Sequence, residues 1–258
     1  MVNTMLKTTS KTLVLLAFFA ITEIAGAGQL SDNIRISSKY MGYDLQYRVF
    51  TPDGIESDGR YPVLLVTDGA MYIQMGMPQV VDELVAAGAI RPVFVVFVDS
   101  RNPDNLDESR RNSEFMCKIE YVNFFNAELL QELYKNYPIS ADRDDTNILG
   151  LSFGGLNSAC FGVITSKTFS GIGMHSPASD KHVREVSKLY QRNETQPLRI
   201  FISSGTRNDN LRSTRRFRDV LEEEGYEVTY VENKGAAHNY ENWIELLDDA
   251  LITLVPAE

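Results

Sequence analysis

From residue 61 onwards, the sequence alternates continuous apolar segments with amphipathic segments of helical spacing. Segments that are apolar at every position are typical of strands whose two faces are both covered. Strands that alternate with helices predict a mostly parallel central sheet with helices on both faces. Residues 34–40 ("IRISSKY") and 43–51 ("YDLQYRVFT") instead alternate apolar and polar positions around "MG", which predicts an antiparallel N-terminal hairpin. The fold class indicated is therefore α/β.

The remaining elements follow from the same patterns. Strands are predicted over residues 61–69, 92–100, 146–152, 169–176, 198–205 and 226–233. Helices are predicted over residues 78–88, 120–137, 154–164, 181–191, 212–225 and 239–255, with a polar loop over 101–114. Because ligands of such sheets bind at the carboxyl ends of the strands, the residues just after each strand are the candidates for a site.

Length and charge limit the classes of function. The chain has 258 residues and a formal net charge of -10. That length suits one α/β domain with a full core. A chain this acidic repels phosphate backbones, so we expect no nucleic-acid partner, and an anionic substrate would need a local basic patch. The oligomeric state is left open.

The N-terminus has the three parts of a secretory signal peptide. Two lysines precede the apolar run "TLVLLAFFAI" (12–21), and "AGA" (25–27) offers a cleavage site. We therefore predict a signal peptide over residues 1–27 and a single domain over 28–258, which is periplasmic or secreted. An uncleaved membrane anchor is the alternative. Glu23 interrupts the apolar run early, which disfavours that alternative. Once the leader is cleaved, we expect no stable membrane anchor.

The two cysteines leave two interpretations open. In an exported protein, Cys117 and Cys160 can form a disulfide. They can equally be separate thiols, with Cys160 a small apolar residue on a buried helix. Their spacing is not that of a metal site, and no cluster of His, Asp or Glu completes one, so we expect neither a metal nor another cofactor.

The segment "GLSFG" (150–154) has the pattern G-x-S-x-G between a predicted strand and a predicted helix. In that context a serine occupies a strained corner at a helix N-terminus, and the flanking glycines let chain segments pass close to it. The backbone N–H of Phe153 would then point to where an oxyanion forms. The alternative is a tight turn without chemistry. The strand-turn-helix context favours Ser152 as a nucleophile.

A nucleophilic serine needs a base, and in this architecture the order along the chain is serine, acid, histidine. His182 lies inside a helical pattern and is expected at the surface, and His175 precedes every plausible acid. His238 follows the last strand in "NKGAAHNYENW", in the loop that would deliver a catalytic imidazole. We therefore predict that His238 is the base.

The acid should follow an intermediate strand. Asp209 lies four residues after Gly205, which ends a predicted strand, and would orient the imidazole of His238. Asp209 could instead cap the next helix. Asp219, inside that helix, and Glu232, at the end of the last strand, are weaker candidates.

The second oxyanion donor should come from the loop after the third strand, "TDGAMY" (67–72). Gly69 permits an unusual turn there, and the N–H of Ala70 is the candidate. A plain Asp-Gly turn would have the same sequence.

Four stretches resemble the esterase D branch of the α/β-hydrolases, closest to enterochelin-esterase-like proteins. They are "YPVLLVTDGAMY", "RNSEFMCKIEYVNFFNAELL", "ILGLSFGGLNSA" and "GAAHNYENW", within about residues 31 to 253. The resemblance implies the α/β-hydrolase fold and the triad of Ser152, Asp209 and His238. It also implies Ala70 and Phe153 as oxyanion donors, Arg111 near the substrate pocket and Tyr240 where siderophore esterases usually have tryptophan. Arg111 is expected to face either the acyl part of the ester or Glu114.

These observations predict an exported serine carboxylic-ester hydrolase that works through an acyl-enzyme. The resemblance extends to siderophore, aromatic-acid and other small acyl esters, so the expected partner is a small-molecule ester. An acyltransferase with the same triad is one alternative, and a catalytically inactive binding protein is another.

Overall fold

A nine-stranded sheet forms the centre of the structure, a computed structural model that describes residues 28–257. Its strands are β1 (Gln29–Leu30), β2 (Ile34–Ser37), β3 (Asp44–Thr51), β4 (Val63–Val66), β5 (Phe94–Asp99), β8 (Thr146–Leu151), β9 (Gly171–His175), β10 (Arg199–Gly205) and β11 (Val228–Asn233). A separate two-stranded hairpin consists of β6 (Arg101–Asn102) and β7 (Asn105–Ser109). The predicted signal peptide lies outside the described residues.

The strand order is β1-β3-β5-β4-β8-β9-β10-β11, with β2 paired to β3. All neighbouring strands in the part β5-β4-β8-β9-β10-β11 are parallel to each other. Strand β3 instead runs antiparallel to β1, β2 and β5. The predicted α/β class is therefore confirmed, with an antiparallel start and a parallel remainder. Strands β4, β8 and β9 are buried at every position, as expected for strands covered on both faces.

Ten α-helical segments accompany these strands within residues 28–257. They are α1 (Gly69–Gln74), α2 (Met77–Ala86), α3 (Arg111–Glu114), α4 (Ile119–Asn123), α5 (Leu130–Asn136), α6 (Phe153–Ile164), α7 (Asp180–Gln191), α8 (Leu211–Glu223), α9 (Tyr240–Glu245) and α10 (Leu247–Leu254). The buried apolar residues form one cluster on each face of the sheet, since Val63 and Leu65 of β4 belong to one cluster and Leu64 and Val66 to the other.

Four predicted segments differ from the structure. The predicted loop 67–72 holds the start of α1 (Gly69–Gln74). The predicted helix 120–137 contains a π-helical stretch, Phe124–Leu129, between α4 and α5. The predicted last helix is divided at Leu246, although its apolar spacing continues across the break. The predicted loop 101–114 holds the β6–β7 hairpin and α3. Strand β7 is exposed at every position, so no burial pattern in the sequence could mark it.

A disulfide joins Cys117, just after α3, to Cys160 in α6. Of the two open interpretations of the cysteines, the structure has the disulfide. The bond ties the segment that follows the β6–β7 hairpin to the helix that begins at Phe153. It closes a long loop, because the two cysteines are 43 residues apart.

Removing this disulfide should lower the free energy of unfolding. The chain-entropy model gives about 4 kcal/mol for a loop of this length. Guanidinium denaturation would compare the oxidised wild type with the Cys117→Ser/Cys160→Ser double variant, each with and without reductant. We expect the reductant to destabilise the wild type and to leave the double variant unchanged. Two free thiols in denatured, non-reduced exported protein would contradict the disulfide itself.

Candidate active site

Ser152 occupies the corner between β8 and α6 in a backbone conformation that L-residues rarely adopt. Its φ is 54° and its ψ is -118°. The corner is held by the Ser152 N–H, which donates to the carbonyl of His175 at 2.7 Å, and by the Ser152 carbonyl, which accepts from Ala178 N at 3.2 Å. A strained position that persists because its surroundings determine it is common at functional sites.

The two glycines of the corner are required by close packing. A Cβ at Gly150 would lie 2.3 Å from the carbonyl oxygen of Gly154, and a Cβ at Gly154 would lie 2.7 Å from Oδ2 of Asp68. The second contact shows that the loop after β4 passes against the first turn of α6. The sequence therefore needs glycine at both positions in order to bring the two loops together.

His238 contacts Ser152 through one ring nitrogen and Asp209 through the other. Its Nε2 lies 2.9 Å from Oγ of Ser152, and its Nδ1 lies 2.7 Å from Oδ1 of Asp209. With a proton on Nδ1 that donates to the carboxylate, Nε2 is free to accept the serine proton. The imidazole is half-buried and packs edge-on against the indole of Trp243, with ring centroids 5.1 Å apart.

The side chain of Asp209 is fully buried and well supplied with donors. Besides His238, it accepts from Ser176 Oγ, from the backbone N–H of Gly205 and from that of Asn210, each at 2.6 Å. Burial raises the pKa of Asp209, but the hydrogen bonds from His238, Ser176 and these backbone groups outweigh it, so the pKa lies below its usual value. The carboxylate is therefore kept ionised beside the imidazole.

The alternative candidates for the acid of the triad are engaged in other ion pairs. Glu232 pairs with Arg215, and Asp219 pairs with Arg218, at the surface. The N-cap of α8 is Asn210, so Asp209 does not cap that helix.

The other two histidines differ in position. His175 is buried, its Nδ1 lies 3.0 Å from Ser203 Oγ, and burial lowers its pKa to about 3, so it is neutral. His182 was expected to be a surface residue, but it is half-buried, with its ring 5.2 Å from that of Phe153. It thus packs against the residue that follows Ser152.

The predicted oxyanion donors both lie in first helical turns. Phe153 begins α6, and Ala70 is the second residue of α1. N–H groups at such positions have no acceptor within their own helix, so they remain available to a ligand. Asp68, the N-cap of α1, has a φ of 59°, which turns the chain sharply before Gly69 and Ala70.

Arg111 forms a buried ion pair with Asp68, a residue that the sequence pattern did not single out. Nε and one terminal nitrogen of Arg111 donate to the two carboxylate oxygens of Asp68 at 2.7 and 2.8 Å, and the guanidinium also donates to the carbonyl of Leu151 at 3.2 Å. The Asp68 side chain is 4% exposed. Arg111 therefore joins the loop before Ala70 to the residue before Ser152.

Of the two alternatives expected for Arg111, the contact with Glu114 does not occur, because the guanidinium pairs with Asp68 instead. Glu114 is buried and accepts from the hydroxyl of Tyr43 at 3.2 Å. Burial raises the pKa of Glu114 to about 7. Burial raises the pKa of Asp68 as well, so the preference of Arg111 is explained by geometry: Asp68 presents both oxygens in the bidentate arrangement that arginine favours.

Two neighbouring cavities, which share lining residues, lie beside these loops. The proximal cavity, of about 300 Å³, is lined by Asp68, Ala70, Met71, Ser109, Arg111 and Tyr240, among others. The distal cavity, of about 360 Å³, lies next to it, since Ala70, Gln74, Asp99 and Arg101 line both. Arg111 and Tyr240, the two residues implied for substrate binding, therefore border one cavity. Ser152 and His238 are not among the lining residues of either cavity.

Sequence reasoning missed several residues that support this arrangement. Ser176 Oγ accepts from Trp243 Nε1 at 3.0 Å while it donates to Asp209, and Asn242 Nδ2 donates to Asp209 at 3.2 Å. Ser176 follows β9 directly, so its place at the carboxyl edge of the sheet could have marked it.

No cluster of three or more His, Cys, Asp or Glu side chains suited to a metal occurs among residues 28–257. Nor does this part of the chain hold a helix that is long and apolar enough to cross a bilayer.

Comparison with known proteins gives a family and a fold. The family model described as "Putative esterase" matches residues 38–254. The uncharacterized protein YjcH of Bacillus subtilis (strain 168) is 25% identical over 181 residues, which are 69% of this chain and 73% of that protein.

Solved esterase structures have a similar fold. The CE1 ferulic acid esterase of Anaeromyces mucronatus in complex with ferulic acid has a TM-score of 0.72 and 17% identity, and the match covers 89% of this chain and 91% of that one. The enterobactin esterase of Shigella flexneri has a TM-score of 0.75 and 21% identity. That match covers 86% of this chain but only 58% of the enterobactin esterase.

The Asp68–Arg111 pair should be essential to stability. Arg111→Gln leaves a buried carboxylate without its counter-ion, which costs about 3–5 kcal/mol when a buried pair is broken. Because Asp68 would then ionise less readily, the loss should grow as the pH rises above the ordinary aspartate pKa.

Urea denaturation at several pH values would measure both effects. Arg91→Gln is the matched control, since Arg91 pairs with Asp145 at 2.9 Å but more of both side chains is exposed. We expect the Asp68→Asn/Arg111→Gln double variant to be more stable than Arg111→Gln alone. If Arg111→Gln costs no more than Arg91→Gln, the pair is not essential.

Proposed function

The chain belongs to the esterase family and is a carboxylic ester hydrolase, and from that premise we propose that it works through Ser152, His238 and Asp209. The observation that carries the proposal is the continuous contact from Ser152 Oγ through the imidazole to Asp209, at 2.9 and 2.7 Å. Both distances are within the range in which a base takes a proton from a nucleophile and an acid orients the base.

The reaction would proceed in two halves. Oγ of Ser152 attacks the ester carbonyl while Nε2 of His238 takes its proton, and the imidazolium then gives that proton to the leaving alcohol. A water molecule, deprotonated by His238, releases the acid from the acyl-enzyme. Asp209 holds the proton on Nδ1 and stabilises the imidazolium in each half.

The negative charge on the carbonyl oxygen would be met by the N–H groups of Phe153 and Ala70. Both N–H groups lie in the first turn of a helix, where they have no acceptor within the helix, and this supports the role. The close approach of Asp68 to Gly154, which brings the first turns of α1 and α6 together, supports it as well. Donors that are already in place need no reorganisation when the charge forms.

We also propose that the protein is exported. The charged start, apolar run and small-residue site of residues 1–27 support export, and so does the Cys117–Cys160 disulfide, since such bonds persist in oxidising compartments. Because similar solved structures are esterases of ferulic acid and enterobactin, aromatic-acid and siderophore esters should be tested alongside short acyl esters.

Substitution of the triad tests the mechanism. Ser152→Ala and His238→Ala should each lower kcat by roughly 10⁴–10⁶-fold, and the double variant should be little worse, because the two residues act as a unit. Asp209→Asn should cost roughly 10⁴-fold, because the imidazole loses its orientation. Asp219→Asn and Glu232→Gln are the controls. Full activity in Ser152→Ala would disprove the mechanism, whereas full activity in Asp209→Asn would disprove only the acid.

The proposed export has a direct measurement. Protein recovered from the periplasm or the medium should begin at Gly28, because cleavage is expected after "AGA" (25–27). Intact-mass analysis distinguishes this product from the full chain. A mass that retains Met1 to Ala27 would disprove cleavage at this site.

A further inference from the structure

The distal cavity contains a cation that has no counter-ion among residues 28–257. Arg48 of β3 lines this cavity, and its Nε donates to the carbonyl of Ser31 at 2.7 Å. Within residues 28–257, no carboxylate lies within ion-pair distance of Arg48, and its terminal nitrogens have no hydrogen-bond partner. A guanidinium has five N–H groups in a fixed planar arrangement, so four of them remain for a ligand.

The other charges of the cavity cancel. Arg101 donates to both oxygens of Asp99, with Nε at 3.0 Å from each and a terminal nitrogen at 2.6 Å from one. The excess positive charge of the distal cavity is therefore that of Arg48. In a chain with a formal net charge of -10, this cavity has the local basic character that an anionic ligand needs.

Polar and apolar groups divide the rest of the lining. Gln46 and Arg48 lie on the same face of β3, and Asn33 donates to Gln46. Ile73 of α1 and the exposed Leu106 of β7 provide apolar wall. A ligand that reaches Arg48 from Ala70 would thus meet both apolar surface and cationic or amide groups.

We propose that this groove selects small esters in which an apolar linker carries a terminal carboxylate or another anionic oxygen group, with Arg48 as the specificity-determining counter-ion. This inference rests on the proposed function, because the ester carbonyl is placed at Ala70, where the two cavities meet. Charge-assisted hydrogen bonds to a guanidinium are among the stronger polar contacts, so the preference should be measurable. Each cavity is also large enough for a small ligand, at the lower end of the usual range of about 300–1,000 Å³.

Matched esters test the preference in the wild type. The mono-p-nitrophenyl ester of adipic acid and p-nitrophenyl hexanoate differ only in the terminal carboxylate, and p-nitrophenyl 6-aminohexanoate carries a terminal cation instead. A second pair, 4-acetoxybenzoate and phenyl acetate, places the carboxylate on the alcohol side. We expect kcat/KM to favour the carboxylate by about tenfold or more in one pair, since a hydrogen bond to a charged group contributes that much. The cationic ester should be the poorest, although the net charge of the chain would attract it.

Variants assign the preference to one residue. Arg48→Gln should reduce the ratio of the two kcat/KM values to near one, and Arg48→Lys should retain part of it because the charge remains. Arg192→Gln is the matched control, since it makes the same change of charge at an exposed residue at the end of α7. Circular dichroism would verify that each variant is folded.

The outcomes separate the inference from the proposed function. Three outcomes would overturn the inference without affecting the proposed hydrolysis. They are equal kcat/KM values within both pairs of esters, a preference for the carboxylate that remains in Arg48→Gln, and a preference that is lost to the same extent in Arg192→Gln. If no ester is cleaved and a fluorophosphonate does not label Ser152, the proposed function fails. Calorimetric titration of monomethyl adipate then decides the inference, since binding about tenfold weaker in Arg48→Gln supports it and equal binding overturns it.

Discussion

The buried ion pair between Asp68 and Arg111 connects the parts of the candidate site. A carboxylate that is almost completely removed from water is costly unless it is paired and hydrogen-bonded. Arg111 donates two parallel hydrogen bonds to this carboxylate and a further one to the carbonyl of Leu151. The pair therefore fixes the loop that presents Ala70 against the strand that presents Ser152. Its guanidinium also lies 5.7 Å from the ring centre of Phe153, so the second proposed donor packs against it as well.

Sequence patterns predicted the sheet well, and the loops around the site less well. The buried strands and main helices follow from apolar periodicity, which burial determines directly. The exposed hairpin of β6 and β7 has no such periodicity, and the apolar spacing of the last helix continues across its break at Leu246, because turns and tertiary contacts set the geometry at both places. For the same reason the family resemblance points to Arg111 but not to its partner: "TDG" is typical of a turn, and only the folded chain shows that the aspartate of that turn faces an arginine 43 residues away.

The candidate triad shows a similar division. The order of serine, acid and histidine along the chain, together with the position of Asp209 just after a predicted strand, selects Ser152, Asp209 and His238, and the fold brings these three into contact. The groups that keep Asp209 charged could not be read from order, because Ser176 and Trp243 come from different elements at the edge of the sheet. Their contribution is electrostatic, since each donor replaces water that burial has removed from the carboxylate.

The disulfide has a consequence for how the site would come apart. The short segment from Arg111 to Cys117 is attached at both ends, by the guanidinium contacts at one end and by Cys160 at the other. It therefore cannot detach by local unfolding unless α6, which begins just after Ser152, is disturbed too. The β6–β7 hairpin is held by weaker contacts, namely the exposed Arg35–Asp104 ion pair and the hydrogen bond from Gln46 to the carbonyl of Arg101, and β7 is exposed along its length. A protease should consequently cut this hairpin first, and the corner that holds the serine should stay closed when it does.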